Sequence, residues 1–277
     1  MRRPFSLAYS ATALFALACT TLGGDGSCPS GTQPAESRSS GGLERWCENL
    51  AAPNGLRREG FSSVWDAKGV LIAQGPFHAG LQDGTWSYWN ETGVLTRTIE
   101  YRAGRENGRF TLWFAPDKKQ YEAEYRDGIQ TGRMTLWFPN GKVDTLGEYR
   151  DGKETGSWTY RFENGQLKEQ GEYRDGRRNG HWLGWFADGK PSYDAMLKDG
   201  LRDGPFRQWY ENGQIALEGQ FRADEPDGPW RAWFANGTLR SESTLAMGKA
   251  AGRVREWTES GELKTDAVRI DANPTPR

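Results

Sequence analysis

Glycine recurs every 24 residues through most of this chain, at Gly84, Gly108, Gly132, Gly156, Gly180, Gly204, Gly228 and Gly252. No residue is inserted or deleted between the first and the last. A second column runs in step through Gly69, Gly93, Gly141, Gly165, Gly189, Gly213, Gly237 and Gly261, with Asp117 in the missing place. A third holds Gly80, Gly104, Gly128, Gly152, Gly176, Gly200 and Gly248, with Asp224 in its gap. A fixed period of this size signals stacked supersecondary units, none able to bury its apolar face alone. The chain therefore reads as an array.

The unit from Gly156 shows what is stacked. Trp158 to Phe162 is aromatic and favours a strand, and Leu167 to Tyr173 supplies a second. Asn164-Gly165 between them suits a two-residue type I′ turn, which needs two positive φ angles. Asp175-Gly176 reads as the start of a longer loop to the next unit. Equivalent pairs stand at Asn140-Gly141, Asn212-Gly213 and Asn236-Gly237. This predicts an all-β fold, an elongated, curved antiparallel meander of 24-residue hairpins. Phe162 is expected opposite Leu167, and Trp158 opposite Gly171. Alternation then places Trp158, Tyr160, Phe162, Leu167 and Tyr173 on a core face. Arg161, Lys168, Gln170, Glu172 and Arg174 fall on the other. Rings recur opposite small residues, as in Trp182 with Ala195 and Phe206 with Gly219, whereas Trp86 meets Ile99. Each buried ring contributes roughly 1.5–3 kcal/mol. Ordering costs about 1–2 kcal/mol per residue, so neighbours must stabilise one another.

The polar face carries one departure. Trp89, Trp113, Trp137, Trp185, Trp209 and Trp233 occupy one column, continued by Trp65 and Trp257 and broken by Arg161. Columns of glutamate (Glu100, Glu124, Glu148, Glu172) and arginine (Arg102, Arg126, Arg150, Arg174) flank it. Such a stripe is a candidate binding surface, because rings stack on sugars, cations and bases. The competing reading is packing, with rings laid against arginine stems in every repeat.

The pattern G-x-W-x-x-W-F-x-x-N-G-x-L-x-x-x-G-x-Y-x-D-G resembles the variant MORN repeat. It is close to the repeats of bacterial proteins labelled YwqK-type antitoxins. Gly132 to Tyr149, Gly156 to Asp175 and Gly204 to Phe221 carry it most clearly, and it extends over roughly Gly60 to Leu263. The resemblance implies a docking scaffold for proteins or lipids, and no enzyme. Asp117, Leu197, Leu245 and the Asp224-Glu225-Pro226 segment depart from the pattern.

The ends suggest export. Arg2 and Arg3 precede an apolar stretch from Phe5 to Ala18, the layout of a signal peptide over residues 1–18. It stops at Phe15-Ala16-Leu17-Ala18-Cys19, which resembles a lipobox with Cys19 as the lipidated residue. Ala16 stands where leucine is usual, and ordinary cleavage near Ala18 is the alternative, giving a secreted or periplasmic protein. Thr20 resembles signals sent on to a Gram-negative outer membrane. With Cys19 acylated, Cys28 and Cys47 remain as an even pair, a candidate disulfide in an oxidising compartment. Residues 19–42 read as lipid anchor and flexible linker, 43–59 as an N-terminal cap under Trp46, 60–264 as the array, and 265–277 as a disordered tail.

Composition limits the chemistry. The 36 basic residues nearly balance 37 acidic ones, which argues against nucleic acid. Hydrophobic content is 36% while tryptophan reaches 13, as suits a single thin layer closed by rings. His78 and His181 stand far apart with no ligand or triad partner at a recognisable spacing, so neither a metal, a cofactor nor a catalytic set is indicated. Asp127, Asp151 and Asp175 are expected to hold their own turns through local hydrogen bonds. The expected function is a lipid-anchored envelope scaffold binding another protein, in the manner of an adaptor or antitoxin. A glycan- or lipid-binding module built on the tryptophan column is the alternative.

Overall fold

The computed structural model describes residues 28–53 and 57–270. The signal segment, Cys19 and residues 271–277 lie outside the described residues. The described chain forms a single antiparallel sheet of 22 strands, from Gln33–Ser39 to Leu263–Ile270. Between the two end strands, each full strand pairs with its neighbours in the chain, as in Lys153–Arg161 between Val143–Arg150 and Leu167–Arg174. Two strands, Leu81–Gln82 and Glu225–Pro226, are two-residue pieces separated from Gly84–Trp89 and Gly228–Trp233 by a single residue. No helix occurs among the described residues. The all-β meander follows from the glycine period.

The two turn types are exchanged relative to the sequence expectation. Gly165 N–H donates to Phe162 O and Phe162 N–H to Gln166 O, closing a three-residue loop of Glu163, Asn164 and Gly165. Only Gly165 has positive φ there, at 93°. That is a type I turn followed by a left-handed glycine and a bulge, which uses Asn-Gly as readily as a type I′ turn does. The two-residue turn is instead Asp175-Gly176, with φ of 50° and 80° and with Arg174 paired to Arg177. Asp117 and Asp224, which interrupt two glycine columns, also hold positive φ, at 61° and 69°. Short polar side chains tolerate that region best after glycine.

Register follows the turns. Trp158 pairs with Gly171 and Tyr160 with Glu169, as expected, but Arg161 pairs with Leu167 and leaves Lys168 extra. Phe162 therefore closes the loop and is not paired with Leu167.

Both edges of the sheet are tied between repeats. On the two-residue edge, Gly152, Gly176 and Gly200 N–H donate to the carbonyls of Gln130, Glu154 and Arg178. On the other edge, Asn164 Oδ1 accepts from Gln166 N–H while its Nδ2 donates to Ala187 O of the next unit at 2.8 Å. Asn140, Asn212 and Asn236 repeat this with Glu163, Ala235 and Glu259. Asparagine thus holds its turn and links it to the next. The local bonds expected of Asp127, Asp151 and Asp175 are absent among the described residues; their contribution is the positive φ.

Three boundaries are corrected. The segment read as a flexible linker contains the strand Gln33–Ser39, paired throughout with Gly42–Glu48. Its Ser/Gly/Pro composition forms an edge strand, where Pro34 costs little. The start of the segment read as a cap, residues 43–59, joins the sheet, since Leu43 pairs with Trp65 and Arg45 with Ser63. Trp46 lies under the Arg58 guanidinium, 4.9 Å from ring centroid to Cζ. Asp266 to Ile270, read as tail, belongs to the last strand. Cys28 and Cys47 are joined by a disulfide with Cα atoms 5.5 Å apart.

Candidate binding surface

The apolar face of the sheet is built by rings that reach across repeat boundaries. Trp158, Trp182 and Trp230 are buried, as are Ala123, Met134 and Ala195. Trp158 pairs in register with Gly171, yet its indole lies on Gly147 of the preceding unit. Trp182 is the ring that covers Gly171. Stacking of successive units is therefore a matter of ring over glycine, a form of aromatic rescue of strand glycines.

No second layer of the described chain covers this face. Tyr121, Tyr125, Leu136, Tyr149, Tyr160 and Tyr173 surround the Ala123–Met134–Trp158 cluster and remain half-buried. Tyr149 meets Trp158 edge-on at 5.4 Å, and Tyr173 meets Trp182 likewise at 5.2 Å. Burial, and next the neighbouring Glu154 carboxylate, raises the Tyr149 phenol above its ordinary pKa, so it stays neutral and able to donate.

One polar cluster interrupts the rings. Arg178 donates from Nη1 and Nη2 to the two carboxylate oxygens of Glu169, each at 2.7 Å. Its Cζ stands 4.0 Å from the Trp182 ring centroid. Tyr193 donates its hydroxyl to Glu169, and the hydroxyls of Tyr160 and Tyr173 lie 3.2 Å apart. The sequence reading missed this group. The available signal was non-repetition: the Glu169 column holds Arg97, Tyr121, Thr145 and Tyr193 in neighbouring units.

The tryptophan column lies on the opposite face by alternation. Trp89, Trp113, Trp137, Trp185, Trp209 and Trp233 are all half-buried. Each stands at a register shift, as between Tyr88 and Trp89 or Gln208 and Trp209, and all but Trp113 end their strands. Trp137 lies beneath Lys119 Nζ at 5.7 Å, Trp65 beneath Arg45 at 5.6 Å and Trp257 beneath Arg255 at 5.8 Å. Trp113 Nε1 is buried without a partner. Among the described residues the close ring pairs belong to the apolar face, and none joins two members of this column.

The register also supplies each histidine with a carboxylate that the linear spacing concealed. His78 Nδ1 lies 2.9 Å from Glu59, and His181 Nε2 is bonded to Asp194. Both imidazoles are exposed.

The family model of the MORN repeat variant matches residues 82–103, 154–175, 202–223 and 226–245. Four segments of this chain match that repeat, together under a third of its 277 residues. Each matched MORN segment runs from the strand after one two-residue turn towards the next such turn, so the repeat coincides with one hairpin. No curated protein matches the chain.

Proposed function

We propose that the chain is a non-enzymatic scaffold of the bacterial envelope, anchored through a lipid on Cys19, whose MORN array docks another protein in the manner of an adaptor or antitoxin. The observation that carries this reading is the uncovered ring face. Its tyrosines are half-buried around Met134, with no second layer among the described residues. A contiguous aromatic surface of this kind on one face of a sheet marks a partner site, and Tyr, Met and Arg are the residues enriched in interface cores.

The half-buried tryptophan column supports a second reading, glycan or lipid binding, at Trp89, Trp185, Trp209 and Trp233, which have no cation over the ring among the described residues. Cross-linking in cells followed by purification of the full chain from detergent-extracted membranes tests the main reading. It should yield one stoichiometric protein, and Cys19→Ser should move the chain into the soluble fraction. Recovery of the chain alone overturns the docking role, and a Cys19→Ser chain that still needs detergent overturns the anchor. Quenching of tryptophan fluorescence by peptidoglycan fragments or envelope lipid vesicles would favour the second reading.

A further inference from the structure

The apolar face satisfies itself in one recurring way, with a guanidinium laid on a ring and held by a carboxylate. Arg58 lies 5.1 Å from the Phe77 ring centroid and donates to both oxygens of Glu44. Arg178 lies on Trp182 and is held by Glu169. Arg202 lies 3.7 Å from the Phe221 centroid, with its Nε 2.8 Å from Asp224. All three arginines occupy the same position of the 24-residue unit.

Between Arg58 and Arg178 that position holds Gln82, Glu106, Gln130 and Glu154. Here the rings remain while the cation is replaced by an amide or an acid. Tyr121, Tyr125 and Tyr149 are half-buried around Met134, Glu154 is half-buried opposite Tyr149, and Glu106 is half-buried opposite Tyr101. Among the described residues neither Glu106 nor Glu154 belongs to an ion pair. In this stretch a carboxylate stands where the internal seats have the guanidinium, and no cation lies over Tyr121, Tyr125 or Tyr149 among the described residues.

We infer that the ring face between Glu106 and Glu154 docks an arginine-bearing segment of the partner protein, with guanidinium groups lying on its tyrosines and pairing with the two carboxylates. This rests on the docking reading above and deepens it. The argument is one of charge complementarity, because the protein's own arginines show how the same surface is filled elsewhere. The two acids are two repeats apart, about 19 Å at about 4.8 Å per strand spacing. An extended segment with arginines about six residues apart spans that distance at about 3.3 Å per residue.

The test uses the full chain and the labelled peptide Gly-Arg-Gly-Ser-Gly-Ser-Gly-Arg-Gly, with the same peptide carrying citrulline in both arginine places as control. Fluorescence anisotropy should show the arginine peptide binding about fivefold or more tightly than the citrulline peptide. Glu154→Arg should abolish the difference, Glu154→Gln should reduce it with the circular dichroism unchanged, and Glu148→Arg, on the opposite face, should leave it intact. Equal binding of the two peptides, or equal loss in Glu148→Arg and Glu154→Arg, overturns the inference. A partner that cross-links through Tyr125 while the peptides bind equally would sink the arginine inference alone and leave the docking role standing.

Discussion

The indole of Trp182 lies on the backbone of Gly171, so close that a Cβ built on the glycine would stand 2.2 Å from the ring. The same relationship joins Gly75 to Trp86, Gly147 to Trp158 and Gly219 to Trp230. Where the floor is larger the cover is smaller: Ala123 pairs with Met134, Ala195 with Phe206 and Ile99 with Phe110. Volume is conserved across each repeat boundary while the residues change, as close packing requires.

Gly171→Ala should therefore destabilise the central repeats by about 1–3 kcal/mol, the cost of overpacking a filled site. Adding Trp182→Phe should recover part of that loss, because Ala195 with Phe206 is the same pair one 24-residue unit on. A denaturant double-mutant cycle measures the coupling. Strict additivity of the two changes would show that the ring and the glycine floor are not one unit.

Four two-residue turns store strain because their first residue, at positive φ, is neither Asp nor Asn. Ala79, Ala103, Ala223 and Met247 hold φ of 47°, 49°, 48° and 49°. The left-handed region costs such residues roughly 1–2 kcal/mol. Ala103→Gly keeps the amide that donates to Asp83 at 3.1 Å. It should raise stability by about 0.5–1 kcal/mol once the extra freedom of unfolded glycine is subtracted. A lowered denaturation midpoint would contradict this.

Beside the Ala79-Gly80 turn, His78 is paired with Glu59. The hydrogen bond that His78 donates to Glu59, and then that carboxylate's charge, raise the imidazole above its ordinary pKa. Glu59 is itself held low, first by the Ala79 amide and next by His78. A raised histidine contributes stability that is fully present below its unfolded pKa and is lost as pH rises through the folded one. Protection of the amides at this turn, taken relative to their intrinsic base-catalysed exchange, should therefore fall as pH rises through the folded pKa of His78. By NMR, His78 should titrate above 6.5, and Glu59→Gln should bring it back. An unchanged titration in the variant would remove Glu59 as the cause.

What the sequence showed and what it hid divide along one line. Features repeated every 24 residues were legible, because each repetition reinforces the same local preference: the hairpins, the Trp158–Gly171 register and the two faces all follow from columns. The turn types were exchanged because Asn-Gly serves both a type I′ turn and a left-handed glycine bulge, and the loop length that separates them depends on pairing. Ring over glycine was seen within a hairpin but belongs between hairpins, since the two-residue slip at Gly180 carries Trp182 back onto Gly171. The Glu169–Arg178–Tyr193 group was hidden from a column reading because Glu169 stands alone in its column and arginine fills its own column only at Arg58, Arg178 and Arg202. The strand Gln33–Ser39 was hidden by linker-like composition, and its partner strand supplies the order that composition does not.

The account turns on which face meets a protein, and a photo-cross-linking scan of the full chain in the cells that produce it tests this most directly. Benzoylphenylalanine would be placed singly at Tyr125, Tyr149, Trp209 and Trp233. The ring face should capture one and the same protein from Tyr125 and Tyr149, with little from Trp209 or Trp233. Capture confined to Trp209 and Trp233, or no protein captured from any of the four, would contradict docking on the ring face.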